Sequence, residues 1–129
     1  MIAWCTCCSA AKREDLGPLP ALERYQDPRI HDLAERAGAA GTGFLILSGE
    51  YGLLRPDDPI PWYDHLLLAD DVDELVGRVT GQLGDLDVTS IVFHTVDPAP
   101  EPQLRPYLET ISEACRRAGV DLEIVTLPG

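Results

Sequence analysis

The sequence predicts an α/β domain, a small three-layer sandwich with a mostly parallel, four-stranded, Rossmann-like sheet. Three observations lead there. Four short apolar runs alternate with three segments of helical periodicity, and strands that alternate with helices form parallel sheets. The run Phe44 to Leu47 is apolar without interruption, as expected of a strand covered on both faces. Glycines stand where the first and third helical stretches should stop.

In chain order, residues 2–7 read as the first strand, and Cys8 to about Pro28 as a loop whose Gly17, Pro18 and Pro20 oppose a long helix. Ile30, Leu33, Ala34 and Ala37 fall at i, i+3, i+4 and i+7, which predicts a helix over about 29–38, ended by Gly38, Gly41 and Gly43. Phe44 to Leu47 is the second strand. Ser48 to His65, with Pro56, Pro59 and Pro61, reads as one long loop. Asp70 and Asp71 open the next helix, where acidic side chains suit unpartnered N–H groups, and Val72, Leu75, Val76, Val79 and Leu83 form its inward stripe. Ser90 to Val96 is the third strand. Leu104, Leu108, Ile111 and Cys115 mark the face of a third helix closed by Gly119, and Leu122 to Leu127 is the last strand.

The 129 residues suit one domain, 1–129, large enough to bury a core without staples. No stretch approaches the roughly 20 apolar residues of a membrane span, and the N-terminus lacks a secretory pattern. The expectation is therefore a cytoplasmic protein that does not engage membranes, with reduced cysteines. The net charge of −12 opposes extended nucleic acid as a ligand unless a partner brings it. That charge is lopsided: residues 1–55 carry 6 basic and 7 acidic residues, and residues 56–129 carry 4 and 15. A local anion site remains open in the near-neutral half. The protein is expected as a monomer or small homo-oligomer.

Open α/β sheets bind ligands beyond the carboxyl ends of their strands. Two unusual segments fall there. The first is Cys-Cys-Ser-Ala-Ala-Lys, residues 7–12. Lys12 is the only lysine, against nine arginines, and an amine can lose its proton, attack an electrophile or bind phosphate compactly. A solvated surface lysine is the plainer alternative. Cys8 or Cys7 is a candidate nucleophile beside that cation. Cys5 and Cys7 share one strand face and can equally be core filler, and Cys115 reads as core. Cys5, Cys7 and Cys8 lack C-x-x-C spacing, so no metal site is expected, and no cofactor is called for.

The second segment is Ser-Gly-Glu-Tyr-Gly-Leu-Leu-Arg-Pro, residues 48–56, followed by Pro61 to His65. Gly49 and Gly52 allow close approach of a ligand or positive φ. Tyr51, Trp62 and Tyr63 either stack on a planar base or pack the loop's own small core. Glu50, Asp64 and His65 are candidate acid–base groups, whereas His31 and His94 read as structural.

The pattern Cys8-Ser9-x-x-Lys12, then Leu-Ser-x-x-Tyr-Gly-Leu-Leu at 47–54, then Pro-x-Tyr-Asp at 61–64, resembles a family of small uncharacterised bacterial domains. Ser48 to Pro56 is similar to a segment of the peroxide-stress YaaA family. More distantly, Cys8, Ser9 and Lys12, with Tyr51, Gly52, Leu53, Tyr63 and Asp64, resemble motifs in the catalytic domain of archaeosine synthases, although Cys7 stands where those enzymes have proline and Arg13-Glu14 replaces Pro-Tyr. Archaeosine synthases join lysine to a nitrile-bearing deazaguanine in tRNA, and YaaA-like proteins are linked to DNA binding and oxidative stress. The resemblance implies a nucleobase held at this loop pair.

The expectation is an enzyme that cleaves or transfers a bond at a purine-like nucleobase, nucleoside or nucleotide, or at the glycosidic bond. Cys8, Lys12, Glu50 and Asp64 are its candidate catalytic residues. Ser9, Ser48, Gly49, Tyr51, Gly52 and Tyr63 are its candidate substrate-binding residues. The rival expectation is a non-catalytic nucleotide- or nucleic-acid-binding module, stress- or redox-related.

Overall fold

A computed structural model describes residues 1–127. Its main sheet has five strands rather than four, in the order β4-β3-β1-β6-β7. The strands are β1 (Ile2–Cys7), β3 (Gly43–Ser48), β4 (Gly52–Leu54), β6 (Ser90–Thr95) and β7 (Asp121–Thr126). β1, β3, β6 and β7 run parallel, and β4 pairs antiparallel with β3.

The extra strand lies inside the segment read as a continuous loop. Ser48 Oγ accepts the N–H groups of Glu50 and Tyr51, both at 3.1 Å, which tightens the turn. Gly52, at φ +74, folds the chain back on β3. An ideal Cβ on Gly52 would stand 2.3 Å from Gln82 Oε1. That oxygen accepts Leu53 N–H at 2.7 Å, and Gln82 Nε2 donates to Tyr51 O at 3.1 Å. Three residues of tight hairpin give no alternation long enough to read in the sequence.

Four helices accompany the sheet: α1 (Ala21–Arg24), α2 (Pro28–Ala40), α3 (Val72–Asp85) and α4 (Arg105–Ala118). Asp27 caps α2 by accepting Arg29 N–H at 2.9 Å, Pro28 opens it, and Gly41 at φ +74 ends it. Gly38 is therefore inside the helix and does not terminate it. Ile30, Leu33 and Ala37 bury its face against Phe44 and Ile46 on one side of the sheet. On the other side, Leu75, Val76, Val79 and Leu83 of α3 meet Tyr107, Ile111, Ala114 and Cys115 of α4 over Cys5, Leu45, Leu47, Ile91 and Phe93. The face of α4 is rotated from the expected stripe: Tyr107 is buried, whereas Leu108 is only partly so and Leu104 lies in a 3-10 turn before the helix.

A second, two-stranded antiparallel sheet joins β2 (Leu19–Pro20) to β5 (Pro59–Ile60). Ala21 N–H and Leu22 N–H donate to Asp58 O and Pro56 O, at 2.8 and 2.9 Å. These bonds fasten the segment after β1 to the segment after β4. Arg24 completes the fastening. Fully buried, its guanidinium donates to the carbonyls of Arg13, Asp15, Gly17 and Ile60 at 2.6–3.3 Å. Among the described residues no helix is long and apolar enough to cross a membrane.

Candidate functional site

The chain from β3 returns to β6 on the opposite side of β1 from β3, so the direction of winding reverses between β1 and β6. Beyond the carboxyl ends of strands, such a reversal opens a crevice. Cys7, the last residue of β1, and Cys8 stand there.

Cys8 is still held in the sheet, because its N–H donates to Leu47 O at 2.9 Å. The loop that follows is paired like a short strand. Ala11 O accepts Gln26 N–H, Arg13 N–H donates to Arg24 O, and Lys12 bridges antiparallel to Tyr25. Lys12 is thereby fixed although it lies outside the main sheet. Its Nζ donates to Ala10 O at 3.4 Å and sits 4.6 Å from the centre of the Tyr63 ring, a cation–π contact. No carboxylate pairs with it among the described residues, whereas Arg13, Arg29, Arg36, Arg116 and Arg117 all have one.

The Cys8 sulfur faces several donors. Its Sγ lies 4.0 Å from Tyr107 Oη, and Cys7, the Gly49 N–H and the Tyr63 hydroxyl are near enough to favour its charged form. Proton counting orients this network. Both lone pairs of Ser48 Oγ are taken by Glu50 and Tyr51 N–H, so Ser48 donates its proton to Tyr63 Oη, 2.9 Å away. Tyr25 Oη adjoins the same oxygen and can donate there as well. Tyr63 is then free to aim its own proton at sulfur. Tyr107 Oη accepts Leu67 N–H at 3.4 Å, which likewise leaves its proton for Cys8.

This arrangement favours the thiolate. The Cys7 hydrogen bond, followed by the Gly49, Tyr107 and Tyr63 donors, lowers the Cys8 thiol to about 6 against the opposing effect of burial. Cys7 moves the other way, because its proton is the one shared with Cys8 and because it is buried. Burial, then the Cys8 charge, pushes the phenols of Tyr25, Tyr63 and Tyr107 up, so they remain donors.

Cys7, Cys8, Ser9, Lys12, Asp64 and His65 border a cleft of about 430 Å³, with Leu66 and Leu104 among its apolar walls. That volume suits a small-molecule site. Of the other sequence candidates, Ser48 and Tyr63 lie behind the cleft as supports. Tyr51 packs edge-on against Tyr63, with ring centres 5.2 Å apart. Tyr63 is committed to Lys12, Tyr25 and Tyr51, so it offers its hydroxyl rather than its ring face. Gly49 leaves room for a neighbour: an added Cβ would meet Tyr107 Oη and Leu67 Cβ, both at 3.1 Å. Gly52 faces Gln82, away from the sulfur.

Glu50 lines a neighbouring pocket and reaches the cleft through His65. His65 Nδ1 is 2.5 Å from Glu50 Oε2, and Nε2 is 3.4 Å from Asp71 Oδ2. The hydrogen bond to Glu50, opposed by some desolvation and aided by Asp71, raises the His65 pKa. Among the described residues no group of three or more Cys, His, Asp and Glu is placed to hold a metal ion.

Sequence reasoning missed Tyr25, Tyr107 and Arg24. One signal was available: the chain has four tyrosines, and all four converge here, three as the Tyr25–Tyr63–Tyr51 cluster and the fourth on Cys8. Compared with known family profiles, curated proteins and solved structures, the chain matches none.

Proposed function

We propose that this protein is an enzyme that acts on a small substrate containing a purine-like nucleobase, with Cys8 as its nucleophile. One observation carries the reading. A thiol poised as thiolate, a lysine amine without a carboxylate partner among the described residues and the Asp64 carboxylate meet on one cleft at the reversal point of a parallel sheet. Packing alone does not call for a charged sulfur ringed by hydroxyl donors, since burial opposes ionisation.

In the proposed reaction, Cys8 Sγ forms a bond to an electrophilic carbon of the base or of its glycosidic linkage. The bond from that carbon to its leaving group breaks, and the electron pair departs with the leaving group, which takes a proton from the Lys12 ammonium. A water or second acceptor then displaces Cys8 as thiolate and gives its proton to Asp64. Glu50 acts through His65, which it holds at the cleft rim. Leu66 and Leu104 offer apolar walls to a planar ring. The reading needs no cofactor. It takes the winding as Rossmann-like and the protein as cytoplasmic, a monomer or small homo-oligomer.

The test is a panel of bases, nucleosides and nucleotides followed by thermal shift and by product formation, with Lys12→Arg alongside. Arginine keeps the charge but not the transferable proton. Turnover should fall at least about a hundredfold in Lys12→Arg with the fold intact. Stabilisation without product would assign a binding module instead, and undiminished turnover in Lys12→Arg would refute the amine's role.

A further inference from the structure

Leu16 stands wholly in water and Trp62 is 48% exposed. Both border one open groove of about 360 Å³, together with Glu14, Asp15, Gly17 and Pro61. Single exposed apolar side chains are common; two large ones on one groove, rimmed by carboxylates, are the pattern of an interaction surface. None of these residues lines the Cys8 cleft.

The groove is preformed, because both of its walls are fastened to one side chain. The buried Arg24 guanidinium donates to the carbonyls of Arg13, Asp15 and Gly17 on one wall, at 2.6–3.2 Å. It also donates to the carbonyl of Ile60, next to Pro61 on the other wall, at 3.1 and 3.3 Å. Gly17, at φ +81, makes the turn beyond Leu16. The loop cannot fold Leu16 inward without stripping these carbonyls of their donor. A wall held in place this way loses little freedom when a ligand arrives.

Ring chemistry and charge select the occupant. Trp4 has a cation over its ring, Arg36 at 5.8 Å, whereas Trp62 has no cation or aromatic partner among the described residues. Asp15 is paired with Arg13 at 2.7 Å, but Glu14 is exposed and has no ion-pair partner among the described residues. The segments that frame the groove, 13–24 and 55–62, hold three basic and five acidic residues, in a chain of net charge −12. That balance disfavours a second copy of this chain, an anionic lipid surface and a nucleic acid, and it favours a cation. A guanidinium is weakly hydrated, stacks on an indole and pairs with a carboxylate.

We infer that this groove docks an extended, arginine-bearing segment of a partner protein. The guanidinium lies over Trp62 and against Glu14, and the apolar atoms of the segment rest on Leu16 and Pro61.

The full chain is titrated with capped hexapeptides that alternate proline with arginine, with lysine or with glutamate. The Trp62 indole and Gly17 amide signals are followed by NMR, with the Trp4 indole as internal control. The variants Leu16→Ser, Trp62→Ala and Glu14→Gln alter exposed side chains, and their melting temperatures report that the fold is kept. The expected result is a saturable shift of Trp62 and Gly17 with the arginine peptide and none of Trp4. Binding should be weaker for the lysine peptide, at least about fivefold weaker in Glu14→Gln and lost in Trp62→Ala, and the glutamate peptide should not bind. An arginine peptide that leaves Trp62 unmoved, or that binds no better than the glutamate peptide, would overturn the docking site. Self-association of the peptide-free chain in sedimentation, abolished by Leu16→Ser, would overturn the partner and give the groove to a second copy. Because the groove and the Cys8 cleft share no lining residue, neither outcome bears on the nucleobase reading.

Discussion

Tyr107→Phe isolates one donor to Cys8. The ring stays in the core, and only the hydroxyl 4.0 Å from the sulfur is removed. A hydrogen bond to a charged group contributes about 1.5–3 kcal/mol, and 1.36 kcal/mol is one pKa unit. The long contact places Tyr107 at the low end, about one unit. Gly49, Tyr63 and Cys7 still face the sulfur, so the thiol should move from about 6 to roughly 7 and not to an ordinary cysteine value. The assay is alkylation by iodoacetamide against pH, with the modified cysteine identified by peptide mass. The midpoint is read rather than the rate at one pH, because a more basic thiolate is intrinsically more nucleophilic. An acid whose folded pKa is depressed adds stability above its unfolded value and loses it as pH falls through the folded value. The thiolate's share of the Tyr107→Phe deficit should therefore be absent near pH 5 and complete by about pH 8, when it reaches about 1.4 kcal/mol. The stranded Leu67 N–H adds an offset that does not change with pH. A wild-type midpoint near the ordinary thiol value, or a variant midpoint that does not move, would refute the donor network.

Three further outcomes are expected. Gly52→Ala forces alanine to φ +74 and drives Gln82 from Leu53 N–H, so urea denaturation should show a loss of about 2 kcal/mol; a loss under about 0.5 would mean that the Gln82 clamp is dispensable. Arg24→Met strips four carbonyls of their shared donor and should cost about 3 kcal/mol, with amide exchange accelerating across residues 11–20 before the main sheet; uniform exchange would separate Arg24 from loop order. His65 has a raised pKa, so its stabilisation is present below about pH 6.5 and lost as pH rises through the raised value; His65→Gln should lower the melting temperature more at pH 5.5 than at pH 9, and equal shifts would deny the ion pair with Glu50.

The parallel strands and the three long helices were legible because their signals are local: an uninterrupted apolar run, an i, i+3, i+4 stripe, acidic residues at a helix start and a Gly stop. The hairpin strand at 52–54 was not, because its identity lies in pairing with β3 and in Gln82, thirty residues away. Cys8, Lys12 and Asp64 border one cleft, whereas Ser48 and Tyr51, expected around it with Lys12 and Asp64, do not line it. Tyr51 and Tyr63 look the same in sequence whether they stack on a ligand or on each other. In the folded chain the face of Tyr63 is occupied by Lys12.

The sheet order bears on the chain during synthesis. β1 is first of the strands to be made, yet it lies at the centre, between β3 and β6. The bond from Thr6 Oγ1 to His94 O closes a separation of 88 residues. A nascent chain that has emerged only through α3 can lay β3 against one edge of β1, but the other edge, with its row of unpaired amides, stays bare until β6 leaves the ribosome. The Cys7–Cys8 pair is exposed over the same interval, since the crevice that shelters it is walled by β6. The domain therefore matures late and as a unit, and Cys8 gains the Tyr107 donor that favours its thiolate only once α4 has docked.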